Sequence, residues 1–121
     1  MKKIIALTCL AFASASTAMA EQQPKASTST AQLVSICQQR SDVAAQNFCH
    51  GFGQGVFETY LISRHEKKAP PFICAEGTRL SRQEHLDNFI QWTAANPKFN
   101  QLSAADTILR YLGETYPCKK G

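Results

Sequence analysis

The sequence predicts an all-α domain, a compact bundle of about four helices stapled by two disulfides. Three observations predict it. From about residue 30 onward, apolar residues recur at three- and four-residue spacing rather than in strand alternation. A Ser, Thr or Asp suited to capping precedes each periodic run. An even set of four cysteines remains once an N-terminal export signal is set aside.

That signal governs how the cysteines are read. "MKK" is a basic start, "IIALTCLAFASAS" an apolar run, and "AMA" a small-x-small cleavage site before Glu21. This is the layout of a secretory signal peptide over residues 1–20, cut after Ala20. Ala6, Leu7 and Thr8 ahead of Cys9 make a poor lipoprotein box, so the product is expected to be free of a lipid anchor. The paired lysines and short apolar core look bacterial, which places the protein in the periplasm. No second long apolar stretch follows, so no membrane partnership is expected.

The remainder, residues 21–121, is one small domain. Lys2 and Lys3 leave with the signal, so 11 of the 13 basic residues face 9 acidic ones, for a net charge of +2. The basic residues are scattered instead of forming a stripe, which argues against nucleic-acid binding. Cys37, Cys49, Cys74 and Cys118 in an oxidising compartment read as two disulfides. Each contributes about 2–4 kcal/mol, mostly by restricting the unfolded chain. Zinc competes poorly, because no C-x-x-C pair exists and the spacings are irregular.

Residues 21–29, "EQQPKASTS", are polar and aperiodic and read as a disordered leader before a helical domain over 30–121. The first helix falls in "STAQLVSICQQR", with Leu33, Val34, Ile36 and Cys37 on one side. The second opens at Ser41 or Asp42 and runs through "NFCHGFGQGVFETYLIS", where Ala44, Phe48, Phe52, Val56 and Tyr60 repeat every four residues. A long connection, "RHEKKAPPFICAEGT", carries charge, Pro70-Pro71 and Gly77, and Cys74 is expected to tie it down. The third helix starts with the capping box Ser81-x-x-Glu84, and Leu86, Phe89, Ile90 and Thr93 follow. The fourth repeats the device with Ser103 and Asp106, buries Ile108, Leu109, Tyr111 and Leu112, and is closed by Gly113 and Pro117.

Glycines 51, 53 and 55 invite a phosphate-loop interpretation. The third glycine comes one residue too early for G-x-G-x-x-G, and no strand precedes it. On a helix, Gly51 and Gly55 share one face and would let another backbone approach closely. Each glycine costs roughly 1 kcal/mol relative to alanine, so a close-packing role is expected. His50, His65 and His85 lie in three segments without metal-ligand spacing and read as surface or cap residues. Adjacent Cys49 and His50 point about 100° apart on a helix, and an oxidised Cys49 is no nucleophile. No G-x-S-x-G and no paired carboxylates are present. No catalytic, cofactor or metal site is therefore assigned, and the protein is not expected to be an enzyme.

The ordered set "FCHGFGQGV", "FICAEGTRLS", "FIQWTAANP" and terminal "YPC" resembles the small periplasmic immunity proteins of type VI secretion systems, the resistance-associated inhibitors of amidase effectors. Phe48, Cys49, Gly51, Phe52 and Gly55 carry the first element; Cys74, Gly77 and Thr78 the second; Asn96 and Pro97 the third; Tyr116, Pro117 and Cys118 the last. The resemblance spans nearly the whole mature chain. It implies a disulfide-bonded helical protein that binds and occludes a cognate cell-wall hydrolase toxin of the peptidoglycan amidase type. A second copy of the chain is a further candidate partner.

The segment 64–72 is the candidate plug, offering Arg64, His65, Lys67, Lys68, the rigid Pro70-Pro71 and Phe72, since good anchors are often Arg or aromatic. The alternative class is a periplasmic acid-stress chaperone similar to the small helical Hde type, which loosens at low pH. Four mature cysteines and the glycine-bearing helix argue against it. If the last two helices are antiparallel and Cys49 holds Cys74, then Cys37 meets Cys118, and that pairing is the one expected among three connectivities.

Overall fold

A computed structural model describes residues 27–119. The expected signal peptide, residues 1–20, lies outside the described residues, as do residues 21–26 of the expected leader. Four helices follow one another: α1 (Thr30–Cys37), α2 (Val43–Glu66), α3 (Arg82–Ala95) and, after a 3-10 turn at Pro97–Phe99, α4 (Ala104–Thr115). No strand forms among the described residues; isolated antiparallel bridges join Ser29 to Ser103 and Ile73 to Pro117. The all-α fold with two disulfides is thus the observed one.

Local chemistry sets the helix starts. Ser29 and Gln32 close a reciprocal capping box on α1, with bonds of 3.2 and 2.9 Å. Asp42 caps α2 by accepting from the Ala45 amide at 3.1 Å. Ser81 and Glu84 form the expected box on α3. Hydrogen bonds from the Ser81 amide and hydroxyl hold the Glu84 carboxylate below its usual range. Ser103 occupies the N-cap of α4, but its side chain makes no cap bond. The Ala104 amide instead donates to Thr28 O at 2.8 Å, so the end of the expected leader does this work. Asp106 turns to Arg110, one turn on.

Further departures have packing causes. Gly113 does not end α4, which continues to Thr115. A Cβ at Gly113 would lie 3.2 Å from the Phe72 ring, so the glycine admits that ring. In the first two turns of α2 the inward face is rolled by one residue from the expected stripe: Ala45 and Cys49 are buried, whereas Ala44 is exposed and Phe48 is 46% exposed; farther along, Phe52, Val56 and Tyr60 face inward as expected. The cause is Cys49, drawn into the core by its bond to Cys37.

The disulfides are Cys37–Cys49 and Cys74–Cys118, not the expected Cys49–Cys74 and Cys37–Cys118. The chain after α4 runs beside the residues that follow Phe72: Cys74 N donates to Tyr116 O at 2.8 Å, and Ile73 bridges Pro117. That pairing delivers Cys74 to Cys118 and leaves Cys37, fully buried at the end of α1, to Cys49.

The core joins Leu33, Leu86, Phe89, Ala104, Ile108 and Tyr111 around the first disulfide. Trp92, expected at an edge, stacks on Phe99 with centroids 5.1 Å apart and packs against the core. The N-terminal segment is clasped to the start of α4: Thr30 N donates to Leu102 O at 2.9 Å, and the fully buried hydroxyls of Thr30 and Thr107 share a 2.8 Å hydrogen bond.

Two outcomes follow from this arrangement. With their cysteines 12 and 44 positions apart in sequence, the ties are expected to contribute about 3 and about 4 kcal/mol by loop-closure entropy. Urea unfolding of the paired Cys→Ala variants should therefore show the larger loss for Cys74 with Cys118, and non-reducing peptide mapping should recover Cys37 linked to Cys49. Thr30→Val strands the buried Thr107 hydroxyl and is expected to cost about 1–3 kcal/mol, whereas Thr107→Val leaves Thr30 Oγ1 a second acceptor, Leu102 O at 3.1 Å, and should cost less. The double variant should cost clearly less than the sum, because neither hydroxyl is left; strict additivity would contradict the pairing.

Candidate functional site

α2 is the longest element, and the part beyond Cys49 carries the features of interest. A Cβ built at Gly51, Gly53 or Gly55 meets nothing within 4 Å. The expected close approach of another backbone to Gly51 and Gly55 is therefore absent. What the missing side chains leave is open space on two sides, since residues two apart on a helix point in nearly opposite directions.

On one side, Gly51 and Gly55 form the floor of a groove of about 730 Å³. Ala105 and Leu109 of α4 wall one edge, and Ala69, Pro70 and Phe72 the other. Arg64 and Lys67 stand at its end, and no carboxylate lines it. The segment after α2 is a strap folded back on its own helix. Lys68 takes the left-handed backbone conformation, φ 51°, and the Ala69 amide donates to Arg64 O at 3.0 Å, turning the chain. The Tyr60 hydroxyl then accepts from the amides of Phe72 and Ile73 at 3.0 and 3.2 Å. The Phe72 ring meets the Tyr60 ring edge-on at 4.7 Å and also packs over Gly113, and Cys74–Cys118 holds the strap's end.

The structure thus brings two separate sequence candidates together. Arg64, Lys67, Pro70 and Phe72 line the same groove as Gly51 and Gly55. His65, Lys68 and Pro71 are exposed but do not line it. Arg64 and His65, expected in the connection, belong to the last turn of α2. The Arg64 guanidinium lies 5.9 Å above the Tyr60 ring, so it braces the strap as well as facing the groove. Phe72 remains 50% exposed, yet its inner face is spent on Tyr60 and Gly113. Sequence reasoning missed Tyr60 as the pin, because a tyrosine in an apolar stripe gives no sign of where its hydroxyl goes.

On the opposite flank of α2, His50, Gly53, Gln54 and Phe57 face a second pocket of about 370 Å³, closed by Leu86 and Phe89 of α3 and by Ile108, Tyr111 and Leu112 of α4. His85 lies in its wall between Thr78 Oγ1 at 3.5 Å and Tyr116 Oη at 3.4 Å. His50 and His85 are accordingly half-buried pocket residues, not the surface or cap residues expected. Tyr111 is 4% exposed, and its hydroxyl finds no hydrogen-bond partner. Burial, and secondarily the nearby Tyr116, push its ionisation up to about 12, so it stays a neutral hydroxyl under ordinary conditions. His50 Nε2 is likewise buried and unpartnered.

Chemically, both concavities offer shape and donors. Cys49 is oxidised, so it gives His50 no thiol. No helix among the described residues is long and apolar enough to cross a membrane, and no cluster of three or more His, Cys, Asp or Glu is placed to hold a metal among them.

Comparison with known proteins gives one result of consequence: the family model of the Rap1a immunity proteins matches residues 29–118. No curated protein and no solved structure matches the chain. The matched span runs from the cap of α1 to the last disulfide cysteine, so it takes in the whole bundle and both concavities. The chain belongs to the Rap1a immunity proteins, a family of type VI secretion immunity proteins.

Proposed function

We propose that this immunity protein works in the periplasm, where it binds a peptidoglycan amidase toxin and covers the toxin's substrate cleft with the face made by α2 and its strap. Family membership supplies the partner class, a cognate toxin. The export signal and the two disulfides support the compartment. The amidase target follows from the motif resemblance.

The observation that carries the choice of surface is the pinned strap. Tyr60, the Gly113 niche and Cys74–Cys118 hold it from three sides, while His65, Lys67, Lys68, Pro70 and Pro71 remain exposed. A segment ordered in advance loses little conformational entropy on binding. The exposed cations add electrostatic steering toward an acidic rim, and the adjoining groove accepts an apolar contact. Inhibition by coverage needs no reactive group.

The test begins with tagged residues 21–121 used to capture type VI cell-wall amidases, followed by an assay of peptide release from purified peptidoglycan. The wild type is expected to capture one stoichiometrically and to abolish its activity. Lys67→Glu with Lys68→Glu should weaken binding at least tenfold, mostly through slower association, and flatten its salt dependence while the melting temperature holds. Gly55→Leu, which fills the groove floor, should weaken binding independently of salt. Unchanged affinity in both variants would place the toxin elsewhere on the molecule.

A further inference from the structure

We infer that the second pocket is a binding site for a small amphipathic monocarboxylate, an acid with an apolar body of about eight carbons. The inference does not depend on the toxin or on the strap, because the pocket lies on the other flank of α2.

Four observations carry it. First, Gly53 opens the pocket on the α2 side, and an added Cβ there would meet nothing within 4 Å. No neighbour among the described residues therefore requires the glycine, although it weakens the helix. Second, the interior walls are apolar: Phe57, Leu86, Phe89, Ile108 and Leu112. Third, two buried polar atoms of its lining residues make no hydrogen bond of normal geometry, the Tyr111 hydroxyl, which lies near Tyr116 and Thr115, and His50 Nε2. Buried polar groups in native proteins are nearly always hydrogen-bonded, so such a pair marks a place where a further group belongs. Tyr111 is more than nine-tenths buried, so bulk water does not serve it. Fourth, the ionisable side chains in the lining other than Tyr111 are Arg82, His50 and His85, with no carboxylate among them, and Arg82 makes no ion pair among the described residues.

These features select the ligand. An apolar wall with a few convergent donors is the usual make-up of a small-molecule site. A basic or donor-bearing lining without acids selects an anionic head over a cationic one. At roughly 30 Å³ per water-sized atom, the pocket holds about a dozen non-hydrogen atoms. That matches a short fatty or aromatic acid, with the carboxylate taken by Tyr111, His50 and Arg82, and the chain lying on Gly53 and Leu86.

The experiment titrates disulfide-intact residues 21–121 with octanoate by calorimetry, with octan-1-ol as the control that keeps the chain but lacks the charge. Saturable one-to-one binding of octanoate, at least tenfold tighter than octanol, is expected. Tyr111→Phe should weaken octanoate about tenfold and leave octanol unchanged. Gly53→Leu should abolish binding of both while raising the melting temperature, since it replaces glycine within a helix at a position where an added Cβ meets nothing. Gly55→Leu, on the other flank, should leave octanoate binding intact and serves as the folding control. Failure of octanoate to bind the wild type, binding that survives Gly53→Leu, or equal affinity for octanol would each overturn the assignment; the first would mean that the pocket holds water alone.

Discussion

The bond between Cys37 and Cys49 is the constraint on which the remaining geometry rests. Cys37 has no exposed surface, and Cys49 lies in the same core cluster. Their link fixes the roll of α2 about its axis, because successive residues on a helix are turned by about 100°. With Cys49 inward, Ala45, Phe52 and Val56 follow it toward α1 and α4, while Phe48 turns outward. Gly51 and Gly55 then fall on one flank and Gly53 on the other. A different roll would bury the bare backbone or turn it to open solvent, and neither concavity would form.

The second disulfide acts on the outer layer. It does not enter the core cluster; it joins the strap to the chain leaving α4, beside the Ile73–Pro117 bridge and the Cys74–Tyr116 hydrogen bond. Tyr60 completes the attachment from within by satisfying two strap amides with one hydroxyl. The two ties divide the labour: one orients the spine, and the other holds what the spine presents. The Thr28–Ser29–Thr30 clasp on the start of α4 closes the bundle with polar contacts, whose geometry is more exacting than that of apolar packing.

What was legible in the sequence is what depends on near neighbours. Ser81 and Glu84 stand three apart, so their box can be read from the string, and so can Asp42 ahead of α2. The helix count, the four oxidised cysteines and the motif order came through for the same reason. What failed depends on distant partners. The cysteine pairing turns on where the tail runs after α4, which no local spacing encodes. Gly113 looked like a stop signal because its partner, Phe72, lies 41 positions away in the chain. Gly51 and Gly55 read as close-packing residues, since a bare helical face implies a neighbour; the structure puts a groove there. The sequence also joined neither the glycines to the strap nor His50 to Tyr111, because these alignments arise only when α2, α3 and α4 pack.

The bare flanks of α2 also bear on stability. Three helical glycines cost roughly 3 kcal/mol in total relative to alanine. That is a large share of the ~5–15 kcal/mol by which a domain is typically stable. No contact among the described residues repays it, since added Cβ atoms would meet open space at all three positions. The loop-closure contribution of Cys37–Cys49, about 3 kcal/mol, is of the same size and falls on the same helix. A covalent tie does not need the helix to fill its own surface, whereas an apolar contact does. The bundle can therefore keep α2 ordered while leaving both of its flanks open to an occupant.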